Sequence, residues 1–515
     1  MPSWGIHLEI ANRVYKKLGN IDKNLFMFGN VMPDINNGYV IKDVNKIISH
    51  KITHYDGEKD FKGYKRFYIK YSKYMQNPIF LGSLTHLMAD YYYNNITYTK
   101  KAIWDKERKN VIGVKLADGT QLKCDKEKVR KMKVHDFRIF ADFSYKNSNF
   151  EKLLYNSKMM SSNGIIKEFE ITDIDTKNTI EYLNSYIENK KSIIDENEKK
   201  EYIIFSQDEM EKIANECVEF ILKFLDKIQK IKLGKTAGFC YGVKRAIEGA
   251  ENEIRQNMSK DIYCLGEIVH NKQVVENLEK QGIKFIEEIS EAKDMAIIRA
   301  HGIPKEVEEE AKKRKIILKD YTCPNVLKIH EIADEYAKNG YFVFLCGSKE
   351  HPENIGTISH CKDNSYIIEN ESEVINALEA IKKTNMKKLL VISQTTYSLE
   401  KFYIIEEIIK NELPKDVELV IRNTICKATE IRQKETEEIA KDVDYMIVIG
   451  GKNSSNTKKL YEIAKSNCSK AVLIENYKEL EIEKIPDDAR VGIMAGASTP
   501  QESIENVIEK IIKQF

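Results

Sequence analysis

The chain has 515 residues, of which 42% are apolar and 31% charged, too long for one ordinary core and unlike a fibrous or disordered composition. Its 82 basic and 80 acidic groups leave a net charge of +2, so bulk charge favours neither a nucleic-acid nor a membrane partner. The N-terminus, Met1-Pro2-Ser3-Trp4-Gly5-Ile6-His7, lacks the layout of a secretion signal, and no apolar run approaches the ~18 residues of a membrane helix. A cytoplasmic protein without an integral membrane segment is expected.

Residues 1–229 are rich in Tyr, Lys and Asn. Their apolar positions recur at helical spacing, as in Leu8-Ile10-Ala11-Val14-Leu18 and Phe80-Leu81-Leu84-Leu87-Met88. An all-α domain is expected there. Within it His86 and Asp90 stand four residues apart on one helix face, a spacing that can chelate metal. His7, Asp34 and either His50 or His54 are further candidate ligands, and a His/Asp set favours zinc or a similar divalent ion. A helix His paired with a nearby carboxylate would give the same local pattern. Residues 186–202 are almost wholly polar and read as a solvated loop or helix face. Ser206-Gln207-Asp208-Glu209 then makes a capping box that opens a helix to about residue 229. Lys230 to Gly234 marks the boundary between domains 1–229 and 230–515.

Beyond it, short β-branched runs alternate with amphipathic stretches, which indicates βαβ units and parallel sheets. The runs are Met295 to Ile298, Ile316 to Leu318, Tyr341 to Leu345, Leu389 to Ile392, Val417 to Ile421, Tyr445 to Ile449 and Val491 to Met494. Nearly every run ends in a loop with a polar signature: Val269-His270-Asn271, Ala300-His301-Gly302, Thr322-Cys323-Pro324, His351-Pro352-Glu353, Gln394-Thr395-Thr396, Lys452-Asn453-Ser454-Ser455-Asn456 and Ala497-Ser498. In parallel α/β sheets ligands bind outside the carboxyl ends of the strands, so these loops could line one pocket. Pro324, Pro352 and Pro500 stand where first helical residues would be, and helix N-termini suit phosphate. A pocket dense in His, Ser, Thr and Asn donors, with little Arg or Lys, fits a small diphosphate.

The nine cysteines, at 124, 217, 240, 264, 323, 346, 361, 426 and 468, are odd in number and form no close CxxC pair, so a disulfide framework is not expected. Cys240, Cys323 and Cys426 stand in the polar loops, 83 and 103 residues apart, one in each third of this half. Three thiolates could hold an iron–sulfur cluster that leaves one iron open, because a cubane cluster usually takes four. They could equally be three unrelated buried side chains. The remaining cysteines read as packing residues.

Gly238 to Ala246 (Gly-Phe-Cys-Tyr-Gly-Val-Lys-Arg-Ala), Val269-His270-Asn271, Ala300-His301-Gly302 and Thr322-Cys323-Pro324 resemble the 4-hydroxy-3-methylbut-2-enyl diphosphate reductase family. His351-Pro352-Glu353, Gln394-Thr395-Thr396, Ile425-Cys426-x-Ala428-Thr429, Lys452 to Asn456 and Ala495 to Ser498 continue the match in order. The resemblance implies three similar α/β sub-domains around a central 4Fe–4S cluster, and the last step of the non-mevalonate isoprenoid pathway. By carry-over, Cys240, Cys323 and Cys426 hold the cluster and Glu353 supplies protons, with Thr395 near the substrate hydroxyl. His270, His301, His351, Ser454, Ser455, Asn456 and Ser498 would hold the diphosphate. Glu430 and Ile431 depart from the family pattern and are not assigned to substrate. No electron-carrier motif accompanies these, so electrons are expected from a separate ferredoxin- or flavodoxin-like donor. The alternative is a non-catalytic cluster protein, for sensing or electron transfer, carrying a partner-binding helical module.

In the first half, Pro2-Ser3-Trp4-Gly5-x-His7, Gly29-x-x-x-Pro33-Asp34 and Gly82-x-x-x-His86-x-x-x-Asp90-Tyr91 resemble the zinc-dependent phospholipase C family. The resemblance implies His7, Asp34, His54, His86 and Asp90 as metal ligands and hydrolysis of a phosphodiester. Trp4 is internal, so the family's N-terminal Trp ligand is not expected to operate.

Overall fold

The computed structural model describes residues 4–38, 41, 44–55, 62–189, 201–257, 261–361, 363–384 and 386–514. Pro2 and Ser3 of the N-terminal motif, and 190–200 of the polar stretch, lie outside the described residues. The chain forms two compact units. Lys230–Ile511 make one, and the other described residues make the other. Among the described residues no helix is long and apolar enough to cross a membrane.

The first unit is helical: α1 (Trp4–Leu18), α2 (Lys23–Val31), α3 (His50–Thr53), α4 (Gly63–Tyr71), α5 (Pro78–Lys100), α6 (Lys126–Asn147), α7 (Ser157–Ile165), α8 (Asp173–Asn189) and α9 (Gln207–Gln229). It also carries a three-stranded antiparallel ribbon, β1 (Ala102–Trp104), β2 (Val111–Lys115) and β3 (Gln121–Lys123), which the helical periodicity does not announce. Asn77 caps α5 by accepting from Ile79 N–H, with Pro78 at the first helical position. The capping box opens α9 as expected: Glu209 N–H donates to Ser206 Oγ at 3.1 Å and Ser206 N–H to Glu209 Oε2 at 2.9 Å. α2 and α5 cross at glycines on both sides. A Cβ on Gly29 would lie 2.1 Å from Ile79 O, and one on Gly82 would lie 2.1 Å from Phe26 O. That contact sets the residues following α2 beside the middle of α5.

Among the described residues the second unit contains twelve strands: β4 (Ile231–Leu233), β5 (Ile262–Leu265), β6 (Ile283–Ile286), β7 (Met295–Ile298), β8 (Ile317–Asp320), β9 (Phe342–Cys346), β10 (Ser365–Ile368), β11 (Lys388–Ser393), β12 (Glu418–Ile421), β13 (Tyr445–Ile449), β14 (Ala471–Ile474) and β15 (Val491–Ala495). Its helices are α10 (Tyr241–Gln256), α11 (Lys272–Lys280), α12 (Lys305–Lys313), α13 (Pro324–Lys338), α14 (Pro352–Ile358), α15 (Val374–Thr384), α16 (Leu399–Glu412), α17 (Lys427–Lys441), α18 (Ser455–Asn467) and α19 (Gln501–Ile512). The strands make three four-stranded parallel sheets, ordered β6-β5-β7-β8, β10-β9-β11-β12 and β14-β13-β15-β4. Every sheet has the same order. In the third, however, the fourth place is filled by β4, the first strand of the unit, so the ring of three sheets closes on its own beginning.

The two inner strands of each sheet are apolar on both faces and nearly all buried, as helices cover both sides of a parallel sheet. Outer strands are half-exposed, and β4 belongs among them although its residues fall on the boundary expected between the domains. Pro324 and Pro352 begin α13 and α14, whereas Pro500 stands one residue ahead of α19, where its carbonyl accepts from Ser503 N–H.

Candidate functional site

The threefold repetition decides which groups meet. Each cysteine of the set follows the fourth strand of a sheet, Cys323 after β8, Cys426 after β12 and Cys240 after β4, and each is the residue before a helix, α13, α17 and α10. The loops after the two inner strands bring the other groups. His270 and His301 follow β5 and β7, His351 and Thr395 follow β9 and β11, and Ser454 and Ser498 follow β13 and β15. All line a single pocket with about 740 Å³ of free space, part of it open to solvent, together with Glu353, Ser455, Asn456 and Arg432.

The three thiols are close neighbours. A Cβ on Gly242, two residues after Cys240, would lie 2.5 Å from Cys323 Sγ, and Asn325 Nδ2, two residues after Cys323, donates to Cys426 Sγ at 3.1 Å. Burial holds the Cys323 thiol above its ordinary value, and Cys240 and Cys426 push in the same direction. Cys264, Cys346, Cys361 and Cys468 are buried elsewhere in the sheets.

Opposite the thiols stand three imidazoles. The ring centroids of His270 and His301 are 4.5 Å apart, those of His270 and His351 5.4 Å, and those of His301 and His351 5.3 Å. Burial pushes His351 down to about 3 and holds His301 well below its ordinary range, so at neutral pH both enter the pocket uncharged. His301 Nδ1 and both side-chain polar atoms of Asn456 are buried without a hydrogen-bond partner. Leaving such atoms unpaired costs about 1–3 kcal/mol each, a cost an anionic ligand would remove. Ser498 Oγ donates to His270 O at 3.1 Å, fixing that loop, and Ser454 caps α18.

Glu353, on α14, is 2% exposed. Thr395 N–H donates to its Oε1 at 2.6 Å and the Thr395 hydroxyl to its Oε2 at 2.7 Å. Burial raises the carboxyl to about 7 although both Thr395 bonds favour the anion. A carboxylic acid half-protonated near neutrality is suited to proton delivery.

Two arginines escape the sequence reading, which expects little Arg here. Arg299 lies behind the imidazoles, packed against Gly266, and its charge helps to depress His270, His301 and His351. Its only signal is a basic residue directly after the apolar strand β7. Arg432 lines the pocket itself and is 3% exposed. Glu430 and Ile431 do not line it, and Glu430 pairs with Lys434 at 2.7 Å.

In the first unit His7, Asp34, His50, His54, His86 and Asp90 converge. The His54 and His86 Nε2 atoms are 3.2 Å apart; Asp34 Oδ1 lies 3.6 Å from His54 Nε2, and Asp34 Oδ2 3.7 Å from His86 Nε2. Asp90 lies 3.4 Å from His7 Nε2, 3.7 Å from His50 Nε2 and 3.5 Å from His54 Nε2. His50 and His54 therefore both join the set, which the sequence leaves as alternatives. The Trp4 indole N–H donates to Asp34 Oδ2 at 3.1 Å. His86 Nδ1 lies 2.6 Å from the Asn30 carbonyl, which can only accept, so the proton is on Nδ1 and Nε2 presents a bare lone pair to the cluster.

The second unit is thus a thiol-lined α/β oxidoreductase with a small anion pocket at the meeting point of three parallel sheets. The model of the LytB protein family matches residues 231–512. A 4-hydroxy-3-methylbut-2-enyl diphosphate reductase of Thermoanaerobacter sp. strain X514 is 43% identical over 287 residues, which is 55% of this chain and 96% of the relative. The enzyme of the same name from Clostridioides difficile strain 630 is 40% identical over 280 residues, 54% of this chain and 97% of the relative. The solved structure of the E-1-hydroxy-2-methyl-but-2-enyl-4-diphosphate reductase from Plasmodium falciparum is 34% identical, with a TM-score of 0.50, covering 55% of this chain and 87% of that one. The chain belongs to the LytB family.

Proposed function

We propose that residues 230–511 catalyse reductive dehydroxylation of 4-hydroxy-3-methylbut-2-enyl diphosphate, the last step of the non-mevalonate isoprenoid route. Two electrons and two protons replace the allylic hydroxyl by hydrogen, giving isopentenyl and dimethylallyl diphosphates and water. The observation that carries this reading is the convergence of Cys240, Cys323 and Cys426, from three sheets, beside a cage of neutral donors and Glu353, whose carboxyl burial raises to about 7. The donor set fits a 4Fe–4S cluster: three neighbouring thiols, an amide donating to one sulfur and a buried cation beside two of them. Such a cluster, held by Cys240, Cys323 and Cys426, would supply a Lewis-acidic site for the hydroxyl and the path for electrons.

This chain's own residues do the rest. His270, His301, His351, Ser454, Ser455, Asn456 and Ser498 bind the diphosphate through neutral donors, so the dianion is held without a compensating surface of lysines. Thr395 orients Glu353 and sits near the substrate hydroxyl. Glu353 gives its proton to the departing oxygen, and the diphosphate raises its proton affinity further. Electrons come from a separate ferredoxin- or flavodoxin-type carrier. Anaerobic purification with an iron and sulfide count tests the reading. Wild type is expected to show a visible iron–sulfur absorbance that Cys323→Ser loses, and turnover surviving in Cys323→Ser would refute the assignment.

For the first unit the reading supported best is a divalent metal centre of the zinc type, held by His7, Asp34, His54, His86 and Asp90 with His50 as a further ligand, serving phosphodiester hydrolysis. It is favoured by the bare His86 Nε2 lying 3.2 Å from His54 Nε2 beside two buried carboxylates, a set of imidazole and carboxylate donors that a divalent cation can bridge. Asn30 and Trp4, which bond His86 and Asp34 from outside, are the orienting partners such ligands need. Zinc analysis of wild type against His86→Ala is the test; equal zinc in both would end the proposal.

A further inference from the structure

Arg432 lies on α17, six residues beyond Cys426, and its side chain reaches across to the loop that ends in Cys240. Nε and Nη2 donate to Thr236 O at 3.0 and 2.6 Å, and Nη2 also donates to Gly238 O at 2.8 Å. One turn later Glu435 accepts the backbone N–H groups of Lys235 at 2.6 Å and Thr236 at 2.9 Å. The same helix therefore grips the loop twice, donating to its carbonyls and accepting from its amides. Gly238, with φ +98°, supplies the backbone turn that presents its carbonyl to the guanidinium.

This cation is almost wholly withdrawn from water, and a guanidinium does not shed its charge. Carbonyl oxygens satisfy its donors but bring no net charge, so anions must balance it. Those that face it are Glu435, Cys240 and Cys426. Two of the three are cysteines of the proposed cluster site, and a charge buried as deeply as that of Arg432 acts on them with less screening than one in water.

We propose that Arg432 is a positioning residue that locks the Cys240 loop to the Cys426 helix and, through its fixed charge, favours the reduced, more negative form of the metal centre held by these cysteines. The inference rests on the iron–sulfur reading above. One added electron makes the centre more negative by one charge, so a buried cation beside two of its three thiolates shifts the equilibrium toward reduction. Net charge and nearby donors are among the features that set such potentials.

The test compares wild type, Arg432→Gln and Arg432→Lys as full-length, anaerobically purified proteins, by iron and sulfide content and by redox titration of the visible and paramagnetic signals. Arg432→Gln is expected to lower the one-electron reduction equilibrium constant at least tenfold, about 59 mV more negative. Arg432→Lys keeps the charge and should stay within about threefold, below about 30 mV on the same scale. An unchanged midpoint in Arg432→Gln, or equal shifts in both variants, overturns the proposal. Should Arg432→Gln assemble no centre, a full centre in Arg432→Lys supports it and loss in both overturns it. A wild type without iron and sulfide would sink the cluster reading instead, which keeps the two failures apart.

Discussion

Glu353 combines near-complete burial with two hydrogen bonds from one threonine, and the balance leaves its carboxyl near pH 7. Glu353→Gln keeps the shape and removes the acid, so turnover should fall roughly 10²–10⁴-fold while the iron–sulfur absorbance stays. The protonated form is the working one, so the rate should decline as pH rises through about 7; a profile flat from pH 6 to 8.5 would count against Glu353 as the donor. The same shift bears on stability. The unfolded carboxyl ionises near 4.3 and the folded one near 7, so over that window the native state holds the extra proton and stability falls as pH rises. Thermal unfolding of Glu353→Gln should lose that slope. That these cysteines, histidines and the glutamate would line one pocket was legible from residue type and place, in loops after apolar strands. Arg299 and Arg432 were not, because a basic residue near a strand end or on a helix reads as solvated until packing shows what covers it.

Between elements, two glycine contacts set distances on which the sites depend. Gly82 sits where α5 meets α2, and an added methyl would strike the Phe26 carbonyl, backbone that cannot turn aside. Gly82→Ala should therefore destabilise the first unit by roughly 1–3 kcal/mol despite the better helix propensity of Ala, read as a lower melting temperature. Gly242 does the same for α10 and Cys323, since its Cβ would fall 2.5 Å from the sulfur. Gly242→Ala is expected to purify with less iron and sulfide, and full cluster content would show that the thiols need not approach this closely. Five of the six inner strands were readable as unbroken apolar runs, and β5 was not among the runs given. The outer ones β4, β6, β10 and β14 were not, because strands half open to solvent mix polar and apolar residues and lack a clear period. The β1–β3 ribbon is similarly short and polar.

At the scale of the whole chain, relatives of 40–43% identity are matched over nearly their full length by the second unit alone. Residues 230–515 expressed without the first unit should fold and reduce the allylic diphosphate within about threefold of the full chain's rate; a chain that is inactive although folded would mean the first unit contributes to catalysis. The α/β class of the second unit follows from the sequence because it is local: an apolar run is a strand and the stretch after it a helix, whereas the proposed thiol set and anion-binding loops came from the family resemblance and not from spacing. What only the tertiary structure decided is adjacency. That β4 completes the third sheet, that Cys240 thereby meets Cys323 and Cys426, that His50 and His54 both join one cluster, and that Arg432 crosses to the Cys240 loop are contacts between residues up to 260 positions apart. No local pattern encodes them, because they arise from how sheets and helices exclude water together.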